Sequence, residues 1–156
     1  MVTSLAAELK GFRFELLLFI AGIIGFIALF SPWARGGKVV ILGMKGWQGN
    51  MLFVGSWLMV IAALIKYGVF NSETLESMNP WTDTVLGSAG AIVGIIGGVS
   101  FLYGIPSPYV PGFGLYLAFI GGALGLFSAI AIYWSEMEEG ARGMDGRNRS
   151  SSSGGL

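Results

Sequence analysis

The amino-acid sequence predicts an all-α membrane protein, a bundle of four transmembrane helices with a short first outer loop holding one or two strands. Three observations lead there. Of the 156 residues, 54% are hydrophobic and only 12% charged, where a soluble domain carries about 25% charged residues. The charges are segregated, so that no charged residue falls between Thr84 and Ser135. Prolines and charged or aromatic residues sit at the ends of the uncharged stretches, as the ends of membrane spans require.

The first helix is expected over about 14–34. Its uncharged part, Leu16 to Ala34, follows Arg13 and Glu15 and closes at Pro32-Trp33, since proline ends a helix and tryptophan favours the interface. Lys10 and Arg13 ahead of an apolar stretch also suit a secretory leader. The stretch is long for that and ends in Leu-Phe-Ser-Pro-Trp, without a small-residue cleavage site. A second helix is expected over 46–66, ending at Lys66 and Tyr67. Trp57 falls near its middle, where the indole N–H calls for a serine hydroxyl or carbonyl on a neighbouring helix. The stretch from Thr84 to Ser135 is too long for one span, and Pro106, Pro108 and Pro111 divide it. Helices over 84–103 and 113–134 follow, joined by a turn from Gly104 to Gly112.

Residues 1–135 thus form the transmembrane domain. Residues 136–156 open with Glu136, Glu138 and Glu139 and finish in serine and glycine. Too polar to bury a core, they are expected to form a disordered tail. Lys10, Arg13, Lys66, Arg142, Arg147 and Arg149 fall on the side of the termini, and Arg35, Lys38 and Lys45 on the other. The six-to-three excess places both termini in the cytoplasm of a cell-membrane protein.

Composition excludes several kinds of chemistry. The chain has no cysteine and no histidine, which removes disulfides, imidazole or thiolate metal sites, haem ligation through these groups, and Ser/His or Cys/His catalysis. A formal net charge of zero offers no field for nucleic acid. Glu73, Glu76 and Asp83 are read as a solvated acidic loop, so no metal, cofactor or catalytic residue is expected. No ionisable side chain lies deep in a span, which argues against a proton-coupled carrier.

Glycine is the strongest anomaly, with 26 residues where typical usage of about 7% would give about eleven. Gly87, Gly90, Gly94 and Gly98 line one face of the third helix, and Gly121 and Gly125 with Ala129 line the fourth. Small residues four apart let two backbones approach closely, a main source of helix association in lipid. These six glycines are the expected helix-packing residues, with the third helix at the centre of the bundle. The same stripe serves either the packing of one chain or contact with a second copy or another subunit.

Outside the membrane, Lys38-Val-Val-Ile-Leu-Gly-Met is a β-branched run between glycines. Trp33, Val39, Val40, Ile41, Leu42 and Trp47 are the expected contact residues of this outer loop. Four helices with cytoplasmic termini, a strand-bearing first loop, Trp33 near its start and Gly46-Trp47 near its end resemble the claudin-type tetraspan layout, whose first loop carries a Trp and then a Gly-Leu-Trp element. That resemblance implies a barrier-forming role. The loop here is shorter than a claudin's and lacks its cysteine pair. Pro32-Trp33, with Gly112-Phe-Gly-Leu-Tyr-Leu opening the fourth helix, is also similar to small four-helix membrane proteins of prokaryotes, a likeness that implies no function.

The expected function is that of a non-enzymatic structural or interaction protein, surrounded by lipid and either self-associating or an accessory subunit of a larger membrane complex. A small passive channel or transporter component is the alternative.

Overall fold

The computed structural model describes residues 13–68 and 82–152, with side chains through Arg147. Helix α1 spans Phe14–Phe30, strand β1 Pro32–Gly36, β2 Val39–Leu42, α2 Trp47–Tyr67, α3 Thr82–Gly104, β3 Val110–Pro111 and α4 Phe113–Ser152. A single 3-10 turn, Gly43–Lys45, leads into α2.

Local chemistry accounts for the boundaries. At the end of α1 the Ser31 hydroxyl donates to the Ile27 carbonyl at 2.9 Å, satisfying an acceptor that the helix itself cannot use. Pro32 then starts β1, a position where a strand tolerates a missing N–H. Gly37, at φ 58°, supplies the left-handed residue of the β1–β2 turn. Gly68, at φ 81°, ends α2 and donates its N–H to the carbonyls of Ile65 and Leu64, the usual glycine stop.

The four described helices form a ring in which α1 packs on α2 and α4, and α3 packs on the same two. None of these four is central, which corrects the expectation for the third: each occupies a corner and buries one face. Two core clusters fill the interior. Leu18, Ala21, Met59, Ala62, Ala63, Ala91 and Ile132 fill one end, and Ala28, Leu29, Trp33, Leu52, Leu115 and Ala118 the other.

Among the described residues three helices are long and apolar enough to cross a membrane: α2, α3 and the part of α4 from Phe113 to Arg147. Helix α1 has 17 residues and ends four positions before the expected boundary at 34, because Pro32, Trp33 and Ala34 are recruited into the sheet. The fourth helix differs more. It runs on to Ser152, where a disordered tail from 136 was expected. Extending an existing helix requires no new nucleus, and Glu138 and Arg142 stand four apart, the spacing at which opposite charges support a helix. Residues 153–156 lie outside the described residues.

Two buried serines behave differently. The Ser128 hydroxyl donates to the Leu124 carbonyl at 2.7 Å, whereas the Ser56 hydroxyl is buried without a partner among the described residues and faces Gly25 of α1. A buried hydroxyl without a hydrogen bond costs free energy that an apolar side chain would not. Ser56→Ala is therefore expected to leave the thermal unfolding temperature unchanged or to raise it slightly. A clear drop would mean that the hydroxyl is bonded after all.

Candidate functional site

The end of the bundle between α1 and α2 and between α3 and α4 carries a built cap. The sheet order is β2-β1-β3, with both pairings antiparallel. Arg35 stands opposite Val40 across one pair and opposite Val110 across the other. The cap rests on Trp33, whose side chain is fully buried. Its indole N–H donates to the Ala28 carbonyl at 2.8 Å, and its ring meets Phe101 edge-on at 5.0 Å between centroids. Gly43 and Gly114 lie directly against the indole, and the Gly112 N–H donates to the Trp33 carbonyl at 2.7 Å. Trp33 is therefore the cap's foundation, which corrects its expected place on the outer surface. A residue flanked by Pro32 and Ala34 reads as a turn in sequence, yet β1 is the central strand and turns Trp33 inward.

The other expected outer-loop residues divide. Val39 and Val40 are about half exposed, at 51% and 47%, and Trp47 is exposed at 59%. Ile41 and Leu42 are half-buried. Arg35, Lys38 and Lys45 all lie at the surface of the cap. Strand β2 forms an outer edge of the sheet, with no further strand beyond it among the described residues.

The predicted glycines sit between helices of one chain. Gly90 lies against α2, where a methyl on it would come within 2.5 Å of the Gly55 carbonyl oxygen and 2.9 Å of the Leu58 Cβ. A methyl on Gly87 would meet Leu18 at 3.0 Å, one on Gly94 only the end of Leu52 at 3.1 Å, and one on Gly98 the Phe119 ring at 3.2 Å. Gly121 packs on the backbone of α1 near Ala21 and Gly25, and Gly125 between Met59, Ala91 and Ala21. The stripe is thus consumed inside the chain, and its glycines are not available as a face for a second copy. Trp57 differs from expectation as well. It is 47% exposed and meets Phe26 and Phe53 edge-on, while the neighbouring Ser56 points inward.

The opposite end is held by charge. Lys66 at the end of α2 binds the Glu136 carboxylate of α4 and lies 3.9 Å from Asp83 Oδ2 in the first turn of α3, within the field of Glu15 on α1. Beside it Arg13 donates to the Tyr67 hydroxyl at 3.0 Å, with its guanidinium 5.4 Å from the ring centre, a cation–π distance. Asp83 is 5% exposed and accepts the Thr84 N–H at 2.9 Å. It is therefore a buried, paired carboxylate and not part of a solvated loop; Glu73 and Glu76 lie outside the described residues. A signal for this cluster exists in the sequence, because Lys66, Asp83 and Glu136 each terminate an uncharged span on the same side. Spacing alone does not say that they meet. Among the described residues no group of three or more Asp, Glu, Cys or His side chains could hold a metal ion.

Exposed ion pairs contribute about 0–1 kcal/mol, and breaking a buried one costs about 3–5 kcal/mol. The Lys66 side chain is 31% exposed and that of Asp83 only 7%, so Lys66→Met, which strands Asp83, is expected to cost about 2 kcal/mol. Glu136→Gln should cost less, since Lys66 keeps Asp83. Thermal unfolding in detergent reads both, and equal melting of Lys66→Met and the parent would remove any structural role from the cluster.

No protein-family model matches this chain, and no curated protein matches it. The likeness to claudin-type tetraspans accordingly rests on the layout of the sequence.

Proposed function

We propose that this chain is a non-enzymatic integral membrane protein that acts as an accessory subunit of a larger membrane assembly. All four helices cross the bilayer in this reading. Helix α1, at 17 residues, stands at the short end of the range for a span. Both termini face the cytoplasm, on the side with the larger number of basic residues, and the sheet cap faces outward. Lipid covers the outward apolar side chains such as Ile20, Ile27, Phe30, Phe127 and Ile130, all exposed.

The observation that carries the reading is the cap. It is an ordered surface with an open strand edge, standing on a bundle whose glycine-bearing helix faces are already used up by packing within the chain. Such a surface suits docking better than catalysis, for which a chain without histidine or cysteine has few of the usual groups. A passive channel would need a polar path, and fully buried Leu18, Leu52, Met59, Leu115 and Ile132 occupy the interior instead.

Native mass spectrometry of the protein extracted from its own membrane in mild detergent tests the proposal. The expected result is a second membrane protein in fixed stoichiometry. A bare monomer would overturn it, a homo-oligomer would replace it with self-association, and solute flux through liposomes holding this chain alone would move it to the channel class.

A further inference from the structure

Three observations on the cap bear on what the partner offers. Strand β2 is an edge, and an edge presents a row of backbone N–H and C=O groups without partners, the template that an added strand uses. Its side chains leave apolar surface open, with Val39 and Val40 about half exposed. The strand is also bracketed by cations: Lys38 precedes it, Lys45 follows it, and Arg35 stands across from Val40 on the neighbouring strand. The sequence places no acidic residue between Leu16 and Tyr67 or between Thr84 and Ser135, and both salt bridges described lie at the other end of the bundle. Among the described residues, the positive charge of the cap therefore has no acidic side chain to neutralise it.

We infer that the open edge of β2 receives an extended acidic segment of a partner protein, which adds a strand to the sheet and places its carboxylates near Lys38, Lys45 and Arg35. The inference rests on the accessory-subunit reading and names the chemistry of the docked segment. Charge decides against a second copy of this chain, because pairing β2 with another β2 would bring two sets of these cations together, the arrangement by which charged edges avoid self-pairing. The backbone decides against an anionic lipid headgroup, which can neutralise the cations but cannot continue the ladder of the sheet.

The test uses the full chain in phosphatidylcholine nanodiscs, so that the membrane carries no net charge, and three capped synthetic peptides. One alternates Glu and Val, one alternates Lys and Val, and one is the Glu-Val peptide with a central Val replaced by Pro. The Glu-Val peptide is expected to bind and to protect backbone amides of β2 from hydrogen exchange. The other two should bind at least about tenfold more weakly, because like charge repels and proline cannot complete a ladder. Lys38→Glu with Lys45→Glu should reverse the preference between the Glu and Lys peptides. Both side chains lie at the surface, so the fold is kept, and unchanged thermal unfolding of the variant checks this. Equal binding of the proline peptide would overturn strand addition, leaving charge attraction alone. No binding of the Glu-Val peptide would overturn the inference altogether. Co-purification of a fixed subunit would in that case preserve the accessory reading, whereas its absence would end both.

Discussion

Gly90→Ala is expected to lower stability by about 2–3 kcal/mol, although it adds a single methyl group. The seam between α2 and α3 is made by backbone on backbone: each of Gly55 and Gly90 faces the other's carbonyl oxygen, and a methyl on Gly90 would also press on Leu58 and on the Met59 backbone at 3.1 Å. Backbone cannot move aside as a side chain can, so the helices must separate and lose contacts along their length, an overpacking penalty at the upper end of the usual range. Gly94→Ala, one turn along the same stripe, meets only the flexible end of Leu52 and should cost less than about 1 kcal/mol. Thermal unfolding in detergent, followed by near-UV circular dichroism, compares the two. Equal melting of both variants would mean that the seam is looser than described. Because Gly55 and Gly90 share one contact, Gly55→Ala and Gly90→Ala together should cost less than the sum of the two.

Trp33→Ala is expected to cost about 3–5 kcal/mol, the range for emptying a large aromatic site in a core. The indole supports strand, turn and helix at once, through Gly43, Gly114, Phe101 and the Ala28 carbonyl. Trp33→Phe keeps much of the ring volume and gives up the hydrogen bond, so it should cost about 1–2 kcal/mol. If Trp33→Ala melts within about a degree of the parent, the sheet is not anchored by this side chain; the expected shift is several degrees.

The helical frame was legible in the sequence because hydrocarbon imposes a simple rule, uncharged length, and α2 and α3 begin and end within two residues of their expected limits. The strand at Val39–Leu42 was legible from its β-branched run between glycines. What was not legible came from partners distant in the chain. Strand β1 exists because Val110-Pro111 and Val39–Leu42 flank it on both sides, and neither neighbour can be read from Pro32-Trp33-Ala34. The direction of the glycine stripe was ambiguous for the same reason: spacing marks a face, and only the position of Gly55 and Leu58 on α2 says what covers it. Lys66, Asp83 and Glu136 appeared as ordinary charges at span ends until the fold brought them together. At the cap, Val39 and Val40 were recognisable as candidate contacts, while the burial of Trp33 was not, since tryptophan beside a proline at the end of a span is ordinarily an interface residue.

The closest helix seam joins α2 and α3, across the two hairpins and not within α1–α2 or α3–α4. The same division is crossed by β1 with β3, by Lys66 with Asp83 and Glu136, and by the packing of α1 on α4. The chain is therefore two helical hairpins, residues 13–68 and 82–152, that meet along every one of these contacts at once. In the four-span reading proposed above, where helices insert first and associate afterwards, each hairpin would enter the bilayer on its own, and the final event would be a lateral zipping of preformed halves, with the cap closing at one rim and the ion pairs at the other.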